Sequence, residues 1–73
     1  MNDSNDTRQA LTHHGFLLLR QGRFAEAEEP CRKALALNET IPEAHLNLGT
    51  ALKGLQRFED AAHSYKKAIA LRP

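Results

Sequence analysis

From Arg8 onward the apolar residues recur every three or four positions, with polar residues filling the turns between them. That spacing predicts amphipathic helices, because a half-buried strand would alternate apolar and polar residues instead. Four helices are expected. The first covers residues 8–21, opened by Asp6 with Gln9 three positions on as an N-cap pair and closed by Gly22 in the left-handed conformation. The second covers residues 24–37, with Phe24, Ala27, Cys31 and Ala34 on one face. Thr40-Ile41-Pro42-Glu43 reads as a capping box with a first-turn proline and starts the third. Phe58, Ala61, Tyr65 and Ala68 carry the same stripe on the fourth. Residues 1–7 are polar and are expected to form a disordered tail.

The pattern is periodic on a longer scale. Shifted by 34 residues against itself, the sequence coincides at ten positions, among them Gly15/Gly49, Leu18/Leu52, Phe24/Phe58, Ala27/Ala61 and Ala34/Ala68. Small and apolar residues at helical spacing dominate these matches, as a packing requirement would select, so residues 8–41 and 42–73 are read as two copies of one unit. Gly15 with Ala27, and Gly49 with Ala61, suit points where two antiparallel helices approach closely, since a larger side chain would force them apart.

Residues 42–73 resemble a tetratricopeptide repeat through Leu48-Gly49, Leu52, Ala61, Tyr65, Ala68 and Pro73. Residues 8–41 resemble one less completely, through Gly15, Leu18, Gly22, Phe24, Ala27 and Ala34. The departures are His14, Glu39, His45 and Gln56, where the family has Leu, Pro, Trp and Gly respectively. The resemblance implies an all-α fold of two tandem antiparallel helix-turn-helix hairpins, stacked as an α-solenoid. It further implies a concave groove, lined by the first helix of each repeat, that binds a peptide or partner protein. Carried over residue by residue, that surface comprises Gln9, Thr12, His13, Phe16, Leu19 and Arg20 with Glu43, Leu46, Asn47, Thr50 and Lys53. Asn47 matches a position whose amide contacts the peptide backbone in similar proteins; the plainer reading is a solvent-facing helix residue. Gln9, His13 and Phe16 lack the basic and amide set that clamps a C-terminal carboxylate, so that function is rejected.

Charge and candidate chemistry change this picture little. A net charge of +1 and a pI near 8.0 give no basic footprint for nucleic acid. Basic residues such as Arg32, Lys33, Arg57 and Lys66 alternate with Glu26, Glu28, Glu29, Glu59 and Asp60 as a mixed solvated surface. Adjacent His13 and His14 diverge by about 100° on a helix, and no zinc spacing is present, so no metal and no cofactor is expected. His14 and His45 instead read as half-buried packing residues that each need a hydrogen-bond partner. Lone Cys31 reads as a buried structural thiol, since no basic group on its face would activate it. Pro30 interrupts the second helix and is read as a tolerated kink facing solvent, with a bend in the superhelix as the sharper alternative. Phe16-Leu17-Leu18-Leu19 is far too short a run to cross a bilayer, and no secretory signal opens the chain, so a cytoplasmic setting is expected.

The expected role is a protein-protein interaction module without catalysis. The alternative is a non-catalytic N-terminal segment of a larger enzyme such as a glycosyltransferase or sulfotransferase, because the chain begins with Met and ends at Pro73 without a polar capping helix. Ala62 and Ile69 flank the last apolar stripe and form an expected self-association surface, since about three repeats are usually needed to bury a continuous core.

Overall fold

A computed structural model describes the backbone of residues 3–72 and the side chains of residues 6–72. Residues 1, 2 and 73, part of the expected tail and the last signature position, lie outside the described residues. Four helices follow one another: α1 (Asp3–Arg20), α2 (Phe24–Leu37), α3 (Pro42–Gly54) and α4 (Phe58–Leu71). α1 packs on α2 and α3 on α4 as two hairpins, and the hairpins join through α2 against α3 with a lesser contact of α1 with α3. Two tandem helical hairpins are what the period and the resemblance implied.

The two hairpins close in the same way. Gly22 has φ +73° and Gln56 has φ +64°, both in the left-handed region. At the first turn, Arg23 N–H donates to the Leu18 carbonyl at 3.0 Å and Gly22 N–H to the Leu19 carbonyl at 3.0 Å. One repeat later Arg57 N–H donates to Leu52 at 2.8 Å and Gln56 N–H to Lys53 at 2.9 Å. These paired bonds satisfy the last helical carbonyls and reverse the chain within three residues.

α3 starts at Pro42 as expected, but both expected side-chain caps and the start of α1 need correction. α1 begins at Asp3, so residues 3–7 are helical rather than a disordered tail and Asp6 lies inside the helix, where it cannot cap it. A carboxylate in the opening turns complements the helix dipole and favours this extension. At α3 the N-cap is Ile41 with no side-chain bond, and Pro42 occupies the first turn. Thr40 does not close a capping box, because its N–H and hydroxyl both turn back to Asn38 Oδ1. Asn38 thus builds the turn by mimicking a backbone acceptor.

Two small clusters form the core. Cys31, Leu48, Leu52 and Ala61 make one, with Leu35 and Tyr65 packed against it, and Leu18, Ala27 and Ala51 make the other, joined by Leu19. The glycines set the helix separation in both hairpins. A Cβ on Gly15 would lie 2.8 Å from Cys31 Sγ, and one on Gly49 would lie 2.8 Å from Tyr65 Cε1 and 3.2 Å from the Ala61 carbonyl. Both contacts are too tight for a side chain, so the small residues are required where they stand.

Three side chains differ from the expectation. Pro30 is buried rather than solvent-facing, and α2 runs unbroken through it. It stands one repeat before Ser64, which is buried too, so the position belongs to the inner face of the helix. His14 is exposed, whereas His45 is buried and its Nε2 lies 2.7 Å from the Glu39 carbonyl, which ties α3 to the preceding loop. Phe58 does not repeat the burial of Phe24 and is 62% exposed. Phe24 is covered by the helix that follows it, at Gly54, and among the described residues no helix stands there for Phe58.

Candidate partner-binding groove

α1 and α3 lie side by side, and the loop that leads into α3 borders the space between them. An open groove of about 720 Å³ results, walled by Thr12, His13 and Phe16 of α1 and by Pro42, Glu43, Leu46 and Asn47 of α3. Phe16 is 45% exposed and Leu46 43% exposed, large apolar groups facing the opening. Arg20 stacks over the Phe16 ring, 6.0 Å from its centroid, which limits the rotamers of that ring.

Of the eleven surface residues expected from the resemblance, the groove gathers Gln9, Thr12, His13, Phe16, Glu43, Leu46 and Asn47. The other four stand elsewhere. Leu19 packs against the Leu18–Ala27–Ala51 cluster. Thr50 donates its hydroxyl to the Leu46 carbonyl at 3.0 Å and lies 3.1 Å from the Tyr65 hydroxyl, so it joins α3 to α4. Arg20 and Lys53 are exposed beyond the lining. A single 34-residue period places equivalent backbone positions together but does not say which helix ends the groove reaches.

Six lining residues were missed: Asn38, Thr40 and Ile41 in the loop, Pro42 at the start of α3, Arg8 within α1, and Arg72 past the end of α4. Arg72 was within reach of sequence reasoning. An antiparallel α3/α4 hairpin returns residue 72 to the first turn of α3, and the guanidinium indeed lies 3.5 Å from the Glu43 carboxylate. That exposed pair contributes little to stability but neutralises one rim of the groove.

Asn47 Nδ2 donates to the Thr12 carbonyl at 3.4 Å, a long bond that ties α3 to α1. Its Oδ1 accepts no hydrogen bond from the described residues, and the residue lines the groove. Cys31 offers no competing chemistry. It is fully buried, and burial pushes the thiol up to about 11, outweighing the nearby Arg32 that favours the thiolate. Among the described residues no cluster of His, Cys, Asp and Glu could hold a metal ion.

The model of the tetratricopeptide repeat family matches residues 6–73, the span that holds both hairpins and the groove. The chain belongs to the tetratricopeptide repeat family. Mouse RNA polymerase II-associated protein 3 is 37% identical over 62 residues, covering 85% of this chain and 9% of that protein. The human protein of the same name is 34% identical over the same shares. A tyrosine–tRNA ligase of a Synechococcus strain is 39% identical over 41 residues, 56% of this chain and 10% of the ligase. The chain therefore spans about a tenth of the length of each relative. As a pair of tetratricopeptide repeats it is a protein-interaction scaffold. Its family departures are physically resolved at two positions: His45 replaces an apolar contact by a bond to the loop, and Gln56 takes the left-handed turn without being glycine. No helix among the described residues is long and apolar enough to cross a membrane.

Proposed function

We propose that the chain binds an extended peptide segment of a partner protein in the α1/α3 groove and catalyses nothing itself. The observation that carries this reading is the lining of the groove: exposed Phe16 and Leu46 share it with Asn47, whose Oδ1 accepts no hydrogen bond from the described residues. An extended peptide places a backbone N–H on that acceptor and alternate apolar side chains against Phe16 and Leu46. Gln9, Thr12, His13 and Glu43 supply a polar rim, and Arg20 orders the Phe16 ring from outside. Leu19, Thr50 and Lys53, expected in the same surface, act at most at its margins. A cytoplasmic setting is part of the same proposal.

The test is a peptide array read by fluorescence anisotropy, with Phe16→Ala and Leu46→Ala against Leu17→Ala, which alters an exposed residue outside the lining. Loss of binding in the first two with retention in the third supports the groove, and equal binding by all three refutes it. A second reading rests on the relatives, which are far longer than this chain and include a ligase. In that reading the repeats form a non-catalytic segment of a larger enzyme, with the same groove. The exposed flank of α4, with Ala62 and Ile69, is proposed as a separate self-association surface.

A further inference from the structure

The outer face of α4 is complementary to itself. Among the described helices α4 packs on α3 alone, so Phe58 is 62% and Ile69 71% exposed. Phe58, Ala62, Tyr65 and Ile69 are spaced i, i+4, i+7, i+11 and form one stripe along the helix, with half-buried Tyr65 at its edge against α3. The equivalent stripe on α2 is covered. There the Phe24 ring lies over Gly54, Glu28 meets Arg57 at 3.2 Å, and Cys31 and Leu35 pack with Leu48 and Leu52.

A second copy cannot reproduce that cover with its own α1. One repeat before Gly54 and Leu48 stand Arg20 and His14, so a head-to-tail contact would bring a guanidinium where glycine fits and an imidazole where leucine fits. Either group would lose its hydration without a partner. The α4 stripe itself fits better. Turned antiparallel about a two-fold axis between His63 and Ser64, Phe58 faces the partner's Ile69 and Ala62 faces the partner's Tyr65, a large group against a small one. On the flank turned away from α3, Glu59 and Lys66 are exposed and make no ion pair among the described residues. The same rotation leaves each Glu59 two residues out of level with the partner's Lys66, an axial offset of about 3 Å that long side chains span as flanking charges do in antiparallel helix pairs.

We propose that the chain forms a two-fold dimer through antiparallel α4 helices, with Phe58, Ala62, Tyr65 and Ile69 at its core and Glu59–Lys66 pairs at its rims. It rests on the reading of the α4 flank as a self-association surface. Sedimentation velocity on the full chain across a concentration series tests it, with circular dichroism confirming that each variant keeps its helices. Glu59→Lys and Lys66→Glu should each weaken the dimer roughly tenfold, while the double exchange E59K/K66E restores it. Ile69→Glu should give a monomer. A dimer that the double exchange fails to restore, or that tightens on Arg20→Ala, overturns the antiparallel register while self-association stands. A wild-type monomer into the millimolar range overturns self-association altogether and leaves the face to a helix of a further repeat. Peptide binding at the α1/α3 groove is measured separately and is untouched by either outcome.

Discussion

The ring of Phe24 fills the space that Gly54 leaves by having no side chain. A Cβ on Gly54 would fall within 2.6 Å of three ring atoms, although the two residues belong to different repeats. This contact locks one hairpin to the next, so Gly54→Leu should lower stability by about 2 kcal/mol through overpacking. In a Phe24→Ala background the same change should cost less than half as much. Urea denaturation of the four proteins checks this, and additive effects would show that the ring and the glycine do not interact.

Gly22 and Gln56 occupy the same left-handed turn position one repeat apart, but only the first is glycine. A side chain at positive φ is strained by about 1 kcal/mol, partly offset because glycine loses more chain entropy on folding. Gln56→Gly should therefore stabilise the fold by about 0.5 kcal/mol, and Gly22→Ala should destabilise it by about 1 kcal/mol. Thermal melts of both variants give the sign directly.

The hairpins, their 34-residue period and the bounds of α2 were legible because packing between antiparallel helices leaves small residues at fixed spacing. Gly15, Ala27, Gly49 and Ala61 carried that signal, and all four stand at the helix–helix contacts. Helix starts were less legible, since Thr40 and Asn38 can each turn a chain with similar side-chain chemistry and only the turn geometry selects Asn38. The groove was legible only in part. Burial of Leu19 and the Thr50–Tyr65 contact depend on how the two hairpins rotate against each other, which no local pattern encodes.

Pro30 sets two terms against each other. Its ring is buried and packs near Gly15, so replacing it by alanine forfeits about 1.6 kcal/mol for two methylenes. Restoring the N–H and relieving the clash with the preceding turn recovers about 3 kcal/mol. Pro30→Ala should therefore stabilise the protein by about 1 kcal/mol. A lower melting temperature would mean that the ring's packing outweighs the missing bond.

Cys31 gives the fold an alkaline limit. The folded thiol titrates at about 11 against an ordinary 9.0, because burial disfavours the thiolate. A raised acid pKa means the folded state holds its proton more tightly, so this contribution is complete below pH 9.0 and is lost as pH rises from there to about 11. Cys31→Ala should flatten the fall in melting temperature over that window. The native thiol should resist thiol reagents at pH 8 and react once the chain is unfolded.

Asn47 either holds the two hairpins together or reads a peptide, and one substitution separates the roles. Its Nδ2 bond to the Thr12 carbonyl is long at 3.4 Å, so losing it should cost at most about 0.5 kcal/mol of stability. Its Oδ1 accepts no hydrogen bond from the described residues, and Asn47 lines the groove with Phe16 and Leu46, where a backbone N–H of a bound peptide would be left unsatisfied without it. An unpaired buried donor costs more than a strained tether, and that asymmetry makes affinity the sensitive readout. Asn47→Ala should lower peptide affinity about tenfold while shifting the melting temperature little. Asn47→Asp keeps an acceptor oxygen but replaces the Nδ2 donor to Thr12 by a second oxygen, so it should retain most of the affinity. If Asn47→Ala instead lowers the melting temperature with affinity unchanged, Asn47 is a strut between α1 and α3 and the peptide is held by Phe16 and Leu46 alone.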